Sequence, residues 1–196
     1  MSKIDLNKIT EEQIKSIREN LEIYSFIEER YNEGKNDTVF KMIFTRFYLI
    51  SQPEMRKIDS DNSFNYYKLL FSNDRKYELM DAVDYLYSNL SFYGEKKYEF
   101  SFATKLLHTK YPNDYPIYDS KVFKYLKNDD GVDLKIITGK NRKEKIEHNW
   151  NELNKWYSTF EEKDKWINWF DENFKEYKDI SNYKKIDSII FACSGY

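Results

Sequence analysis

Cysteine is nearly absent from this sequence, because Cys193 is the only one among 196 residues. A single cysteine excludes an internal disulfide and any zinc or iron–sulfur site with four cysteine ligands. Histidine is almost as scarce: His108 and His148 lie far apart, without Cys or acidic residues at the spacing of a zinc site. We therefore expect neither a metal ion nor a cofactor.

Residues that interrupt helices are also few, with five glycines and three prolines in the whole chain. Scarce helix breakers, combined with 34% charged residues, favour a mostly helical protein with short connections. The predicted fold class is therefore all-α. The length predicts one domain over residues 1–196, or the same domain in two lobes of about 1–92 and 93–196.

Long apolar runs are missing, and none reaches the length of a membrane span. The first residues lack the features of a signal peptide, so we expect a cytoplasmic protein without membrane contact. Glycine-rich phosphate loops and the Gly-x-Ser-x-Gly and His-Glu-x-x-His motifs are missing as well. The sequence therefore carries no signature of a P-loop nucleotide site, an α/β-hydrolase or a zinc protease.

Apolar residues recur at helical spacing along most of the chain. Thr10 and Gln13 form a capping box at the start of a first helix, which is expected to end near Gly34. Asn36 or Asp37 then caps a second helix. The apolar stripe predicted for that second helix is Val39, Ile43, Phe47 and Ile50.

Further helices are predicted downstream by the same periodicity. They are expected from Asp74 to Leu90, from Ser101, from Ser120, from Arg142 to about Phe160, around Trp166 to Phe174 and from Ser181 to Gly195. Residues 129–140 are the least helical segment, since Asp129, Asp130 and Gly131 indicate a turn. An irregular segment or a small hairpin is predicted there.

The stretch from Phe100 to Leu126 carries the most specific pattern of the chain. It predicts one helix, a break around Pro112, an extended segment after Pro116 and a second helix. The residue before a proline avoids the helical conformation, which accounts for the break and for the extended segment. Asp119 or Ser120 caps the second helix. A carboxylate is therefore expected where the chain leaves an extended segment and enters a helix.

Residues 116–122, Pro-Ile-Tyr-Asp-Ser-Lys-Val, resemble a motif of the helix-hairpin-helix DNA glycosylases, the family that excises damaged or mispaired bases. Asp119 takes the place of the family's catalytic aspartate. Ser101 stands 18 residues earlier, where bifunctional members carry a Schiff-base lysine and adenine-specific monofunctional members a serine. Ala103 matches the family's alanine. The chain departs from the family at the hairpin, because residues 95–99 contain no glycine.

The resemblance implies an all-α base-excision hydrolase that cleaves the N-glycosidic bond of a flipped base, without a lyase step. Asp119 would stabilise the sugar cation or activate the nucleophile as the base departs. The alternative is that this aspartate is a helix N-cap, a position that Asp favours strongly, and the two roles are compatible. Ser101 would hold a water or a phosphate, or cap its helix. Tyr118 would stack on a base, or be buried by the alternation of the extended segment.

Basic residues are concentrated in one part of the chain. Phe92 to Lys145 holds twelve Lys/Arg and eight Asp/Glu, a net +4, while the remainder sums to −6. This distribution gives either a basic face for phosphate contact or an ordinary solvated surface. The lysines expected to contact DNA are Lys96, Lys97 and Lys124, and those expected at the substrate are Lys105 and Lys121, beside Tyr118.

Duplex DNA is therefore the expected partner, and a protein partner is the alternative. The second functional interpretation is a non-catalytic helical module that binds DNA or protein, for instance in phage–host conflict. The sequence leaves the oligomeric state open.

Overall fold

The structure, a computed structural model, describes residues 4–50, 55, 60–72 and 77–193. Over these ranges the regular secondary structure is helical, without a β-strand, so the all-α prediction is confirmed. The nine α-helices described are α1 (Glu11–Asn32), α2 (Thr38–Phe47), α3 (Asp61–Phe71), α4 (Leu79–Asn89), α5 (Phe100–Lys110), α6 (Ser120–Asn128), α7 (Arg142–Thr159), α8 (Lys163–Asn173) and α9 (Asn182–Cys193). Short 3₁₀ helices cover Leu6–Lys8 and Lys175–Tyr177.

The chain forms two compact units. The first unit combines Met1–Leu21 with Pro112–Tyr196, and the second comprises Glu22–Tyr111. The predicted lobe boundary between residues 92 and 93 therefore falls inside the second unit. The reason is that α5 packs against α3 and α4, which keeps these three helices together. Helix α1 contributes its first residues to one unit and the rest to the other.

Helix α5 is the centre of the second unit. Phe100 is buried, and so is every residue from Phe102 to Thr109, whereas Ser101 is half-buried in the first turn. The helix begins at Phe100, one residue earlier than predicted, and ends at Lys110 just before Tyr111. An α-helix buried on all sides must satisfy its polar side chains inside the unit.

Helix α2 is capped by Asp37, whose carboxylate accepts a hydrogen bond of 2.9 Å from the Phe40 amide. Its buried face contains Phe40 and Phe44, whereas Val39 is 50% exposed. The buried face of this helix therefore lies one residue further along the chain than the predicted stripe. The helix also ends at Phe47, before the positive φ of 49° at Leu49. Ile50 is buried as well, but it lies beyond the end of the helix.

In the first unit, α9 packs against α6 and α8. The capping box at the start of α1 forms as predicted: the Thr10 amide donates to Gln13 Oε1, and the Gln13 amide donates to Thr10 Oγ1. Residues 129–141 are irregular, without a strand. The predicted helix start at Asp74 and the predicted end at Gly195 lie outside the described residues. Among the helices that are described, none is long and apolar enough to cross a membrane.

Candidate functional site

Asp119 lies where the sequence analysis expects a carboxylate, at the junction between an extended segment and a helix. Its backbone is extended, with φ −140° and ψ −176°, and α6 begins at the next residue. Its Oδ1 accepts hydrogen bonds of 2.9 Å from the amides of Lys121 and Val122. The residue is half-buried, after a run of four buried residues from Tyr115 to Tyr118. The main chain therefore fixes the orientation of this carboxylate.

Tyr118 is buried rather than presented to solvent. Its hydroxyl accepts a hydrogen bond of 3.2 Å from Asn149 Nδ2. The Asn149 side chain also makes two hydrogen bonds with the main chain of Lys135: it accepts from the amide at 2.7 Å and donates to the carbonyl at 2.8 Å. Burial, with the nearby charge of Asp119, raises the pKa of the Tyr118 hydroxyl. Tyr118 thus joins the motif to α7 and to the irregular segment.

Lys121 reaches across to the end of α9. Its ammonium donates to the Phe191 carbonyl at 3.1 Å and lies 3.6 Å from the centroid of the Phe191 ring. Burial lowers the pKa of Lys121, while the carboxylates of Asp119 and Asp187 oppose that shift. The last carbonyls of a helix lack intrahelical donors and carry partial negative charge. Lys121 therefore acts as a C-terminal cap for α9.

A buried polar cluster adjoins this contact, and the sequence analysis missed it. The Lys184 ammonium lies 2.8 Å from Asp187 Oδ2, and the two side chains are 4% and 6% exposed. Asp187 Oδ1, Ser188 Oγ and Tyr157 OH are buried without a hydrogen-bond partner in the described part of the protein. Burial raises the pKa of Tyr157, and the charges of Asp187 and Asp119 add to the shift.

One signal in the sequence points to this cluster. Asp187 lies between Ile186 and Ile189 on α9, so that any helical stripe through the isoleucines also includes or borders the aspartate. A lysine three residues earlier, Lys184, is at the spacing of a helical ion pair. A charged pair at this spacing inside an apolar helix indicates a buried salt bridge.

Ser101 and Lys105 belong to the second unit, on α5. They lie one helical turn apart and therefore on the same face. The Lys105 ammonium is buried and donates to the Tyr48 carbonyl at 2.7 Å, just beyond the end of α2. Lys110, at the end of α5, donates in the same way to the carbonyls of Leu69, Leu70 and Ser72 at 3.2, 3.0 and 2.6 Å. These two lysines therefore close the ends of α2 and α3.

The lysines predicted to contact DNA occupy more open positions. Lys96 is exposed, and its ammonium donates to the Ser88 carbonyl at 3.0 Å. Lys97 is half-buried, with its ammonium 5.9 Å from the centroid of the Tyr93 ring. Lys124 is exposed on α6. Lys96 and Lys97 follow a tight turn between α4 and α5, and Lys124 lies one turn beyond Ser120.

A separate cavity of about 220 Å³ lies in the first unit, beside the end of α9. Its lining residues are Ile4, Asp5, Lys8, Ile9, Gln13 and Cys193. Burial raises the pKa of the Cys193 thiol to about 11, so the thiol stays protonated at neutral pH. Within the described ranges, no group of three or more His, Cys, Asp or Glu side chains is arranged to hold a metal ion.

Comparison with known proteins gives no relative: no family model, curated protein or solved structure matches this chain.

Proposed function

We propose that this protein is a divergent DNA glycosylase-like enzyme, which hydrolyses the N-glycosidic bond of a flipped base without a lyase step. The bond between the base and C1′ breaks, a water oxygen adds to C1′, and the base leaves with a proton. Asp119 stabilises the positive charge that develops on the sugar. Ser101 remains a second catalytic candidate, and the cytoplasm is the proposed location.

The observation that carries the proposal is the way the main chain holds Asp119. Two amides bind a single oxygen of this carboxylate, and the start of α6 contributes a partial positive charge. The helix dipole favours the ionised carboxylate by about 0.3–1 kcal/mol. A fixed negative charge needs no reorganisation when a cation develops beside it, which is what electrostatic catalysis requires.

The contacts with DNA fall to Lys96, Lys97 and Lys124 in this proposal. Lys124 is exposed and Lys97 is half-buried, and exposed Lys96 donates only to the nearby Ser88 carbonyl. The ammoniums of Lys105 and Lys121 instead donate to carbonyls at helix ends far away in the sequence. The Lys105 ammonium is buried away from solvent, and the Lys121 ammonium is held against the Phe191 ring and carbonyl. The proposal therefore gives Lys105 and Lys121 a structural role, each within its own unit.

The second candidate function, a non-catalytic module that binds DNA or protein, is favoured by the burial of Tyr118. Its hydroxyl is engaged by Asn149, so its ring does not offer a stacking surface beside Asp119. In this alternative Asp119 serves only as the N-cap of α6, a role that agrees with its two hydrogen bonds to the first amides of that helix.

Base release from labelled duplexes tests the proposal. The panel contains damaged, mispaired and phage-modified bases, and abasic sites are revealed by alkali after the reaction. The wild-type protein should leave an abasic site with no strand break before alkali, and borohydride should trap no covalent adduct, because the mechanism uses no amine nucleophile. Asp119→Asn should lower release by roughly 100-fold or more, the scale for removing an electrostatic catalytic group.

Asp37→Asn is the matched control. Asp37 also caps a helix through its carboxylate, and asparagine remains a good cap at both positions. Both variants should therefore unfold within about 1 kcal/mol of the wild type, and only Asp119→Asn should lose activity. Full activity in Asp119→Asn would show that Asp119 only caps α6 and has no catalytic role. If the wild type binds duplex DNA and releases no base from the panel, the binding module is the correct function.

A further inference from the structure

Tyr93 is the most exposed of the large hydrophobic side chains described, with 72% of its surface accessible. It stands at the tip of a tight turn between α4 and α5. Its φ is +55° and that of Gly94 is +79°, the left-handed pair that defines a type I′ turn. Asn and Gly are the residues that favour this conformation, and a bulky side chain there is an outlier. A non-glycine residue held in this conformation costs about 1–3 kcal/mol, and such outliers are a starting point for a hypothesis about function.

The base of the turn is held by hydrogen bonds and by a buried ring. Phe92 and Glu95 exchange two main-chain hydrogen bonds, of 2.8 and 3.1 Å. Phe92 is fully buried and meets the Phe102 ring edge-on at 6.0 Å. Just before the turn, Asn62 donates to the Ser91 carbonyl at 2.6 Å and accepts from the Ser91 amide at 3.0 Å. These contacts attach the turn to α3 and α5, with the exposed Tyr93 ring at its tip.

Positive charge lies directly beside the ring. The Lys97 ammonium is 5.9 Å from the ring centroid, and the neighbouring residue Lys96 is exposed, with its ammonium donating to the Ser88 carbonyl. Glu95 contributes one negative charge, so residues 92–97 carry a net +1. An exposed aromatic ring beside a lysine is an arrangement with which proteins bind unpaired nucleotides, since the ring stacks on a base and the ammonium meets a phosphate.

We propose that Tyr93 is a base-stacking contact, and that this face of the protein binds DNA containing an unpaired or extruded base in preference to fully paired duplex. The inference rests on the proposed function in that the ligand is DNA. It goes beyond that function by naming the aromatic residue that stacks on the unpaired base, and by extending the ligand to bulged and single-stranded DNA. Stacking on one base is worth roughly a 5- to 150-fold change in affinity.

Binding is measured by fluorescence anisotropy on three labelled DNAs: a paired duplex, the same duplex with a one-base bulge, and a single strand. Tyr93→Asn removes the ring and keeps a residue that accepts positive φ, so the turn and the thermal midpoint should be preserved or improved. Tyr93→Phe keeps the ring. Phe64→Ala is the matched control, because it removes a 61% exposed ring elsewhere in the second unit.

Tyr93→Asn should weaken binding to bulged and single-stranded DNA by roughly 5- to 150-fold, with a smaller effect on paired duplex. Tyr93→Phe and Phe64→Ala should stay close to the wild type. Wild-type affinity of Tyr93→Asn for all three DNAs would overturn the stacking role, and base release by the wild type in the same preparation would leave the proposed function intact. A wild type that binds none of the three would overturn the inference and leave the ring to a protein partner.

Discussion

Lys121 and Lys124 lie three residues apart on α6, yet the structure gives them different roles. The Lys121 ammonium caps α9 through the Phe191 carbonyl, whereas Lys124 is exposed. Replacement of each by methionine removes one positive charge and keeps an unbranched side chain. We expect Lys121→Met to lower the stability of the fold and Lys124→Met to weaken DNA binding.

The magnitude for Lys121 follows from its contacts. A hydrogen bond from a charged donor contributes about 1.5–3 kcal/mol, and the contact with the Phe191 ring adds about 0.5–1 kcal/mol. The lowered pKa of Lys121 shows that burial disfavours its charge, and methionine relieves that part. We therefore expect Lys121→Met to lower the free energy of unfolding by about 1–2 kcal/mol, and Lys124→Met to stay within about 0.5 kcal/mol of the wild type.

Urea unfolding followed by circular dichroism gives both free energies, and a shared m-value shows that the unfolded states are comparable. Duplex binding is then measured over a series of salt concentrations under conditions where each variant is folded. Lys124→Met should reduce the salt slope by about one phosphate contact, and Lys121→Met should not. The reasoning is refuted if Lys121→Met unfolds at the wild-type midpoint while losing salt-dependent affinity, because its ammonium would then bind phosphate rather than cap α9.

Two further predictions concern buried titratable groups. Asp187→Leu alone should cost about 3–5 kcal/mol, because it leaves the Lys184 charge buried, whereas Asp187→Leu with Lys184→Met should be close to neutral; additive losses in a urea double-mutant cycle would contradict this. Burial raises the pKa values of Tyr66 and Tyr157, so above about pH 10 the unfolded chain releases protons that the folded chain keeps. These groups should leave the free energy of unfolding unchanged below pH 10 and lower it above pH 10, by up to about 1.4 kcal/mol per pH unit for each tyrosine. Urea unfolding at pH 8 and pH 11, with tyrosinate absorbance recorded alongside, measures this loss. Equal unfolding midpoints at the two pH values would contradict the prediction.

The parts of the fold that the sequence predicts well are those made by neighbouring residues. Thr10 and Gln13 are three residues apart, and so are Asp37 and Phe40, whose hydrogen bonds start α1 and α2. The bond between Asp119 and the Val122 amide has the same spacing. A cap depends on the chain within one helical turn, so residue type and local pattern are sufficient to place it. The position of the motif carboxylate follows from this local chemistry.

Which face of a helix is buried depends on distant residues instead. In α2, both the stripe through Val39 and Ile43 and the stripe through Phe40 and Phe44 have helical spacing. The second is buried because Phe44 meets the rings of Tyr66 and Tyr67, at 6.0 and 5.7 Å between centroids. These tyrosines lie on α3, and nothing within α2 identifies them as its partners. The one-residue error in the predicted stripe has this cause.

The roles of the lysines could not be predicted for the same reason. Lys105, Lys110 and Lys121 donate to carbonyls of Tyr48, of the end of α3, and of Phe191, all of them far away in the sequence. A lysine that closes a helix end has the same local pattern as a lysine in solvent. Counted by sequence alone, Phe92 to Lys145 carries +4.

The charge that can meet a phosphate directly is smaller. When Lys105, Lys110 and Lys121, which donate to carbonyls far away in the sequence, are set aside, the net charge of this stretch falls from +4 to +1. Affinity for duplex DNA that comes from phosphate contacts alone should then be modest and only weakly dependent on salt. If this protein binds DNA tightly, the energy must come from contacts that salt does not screen. Stacking on an exposed ring is a contact of that kind, and the presentation of Tyr93 beside Lys97 is where the structure offers it.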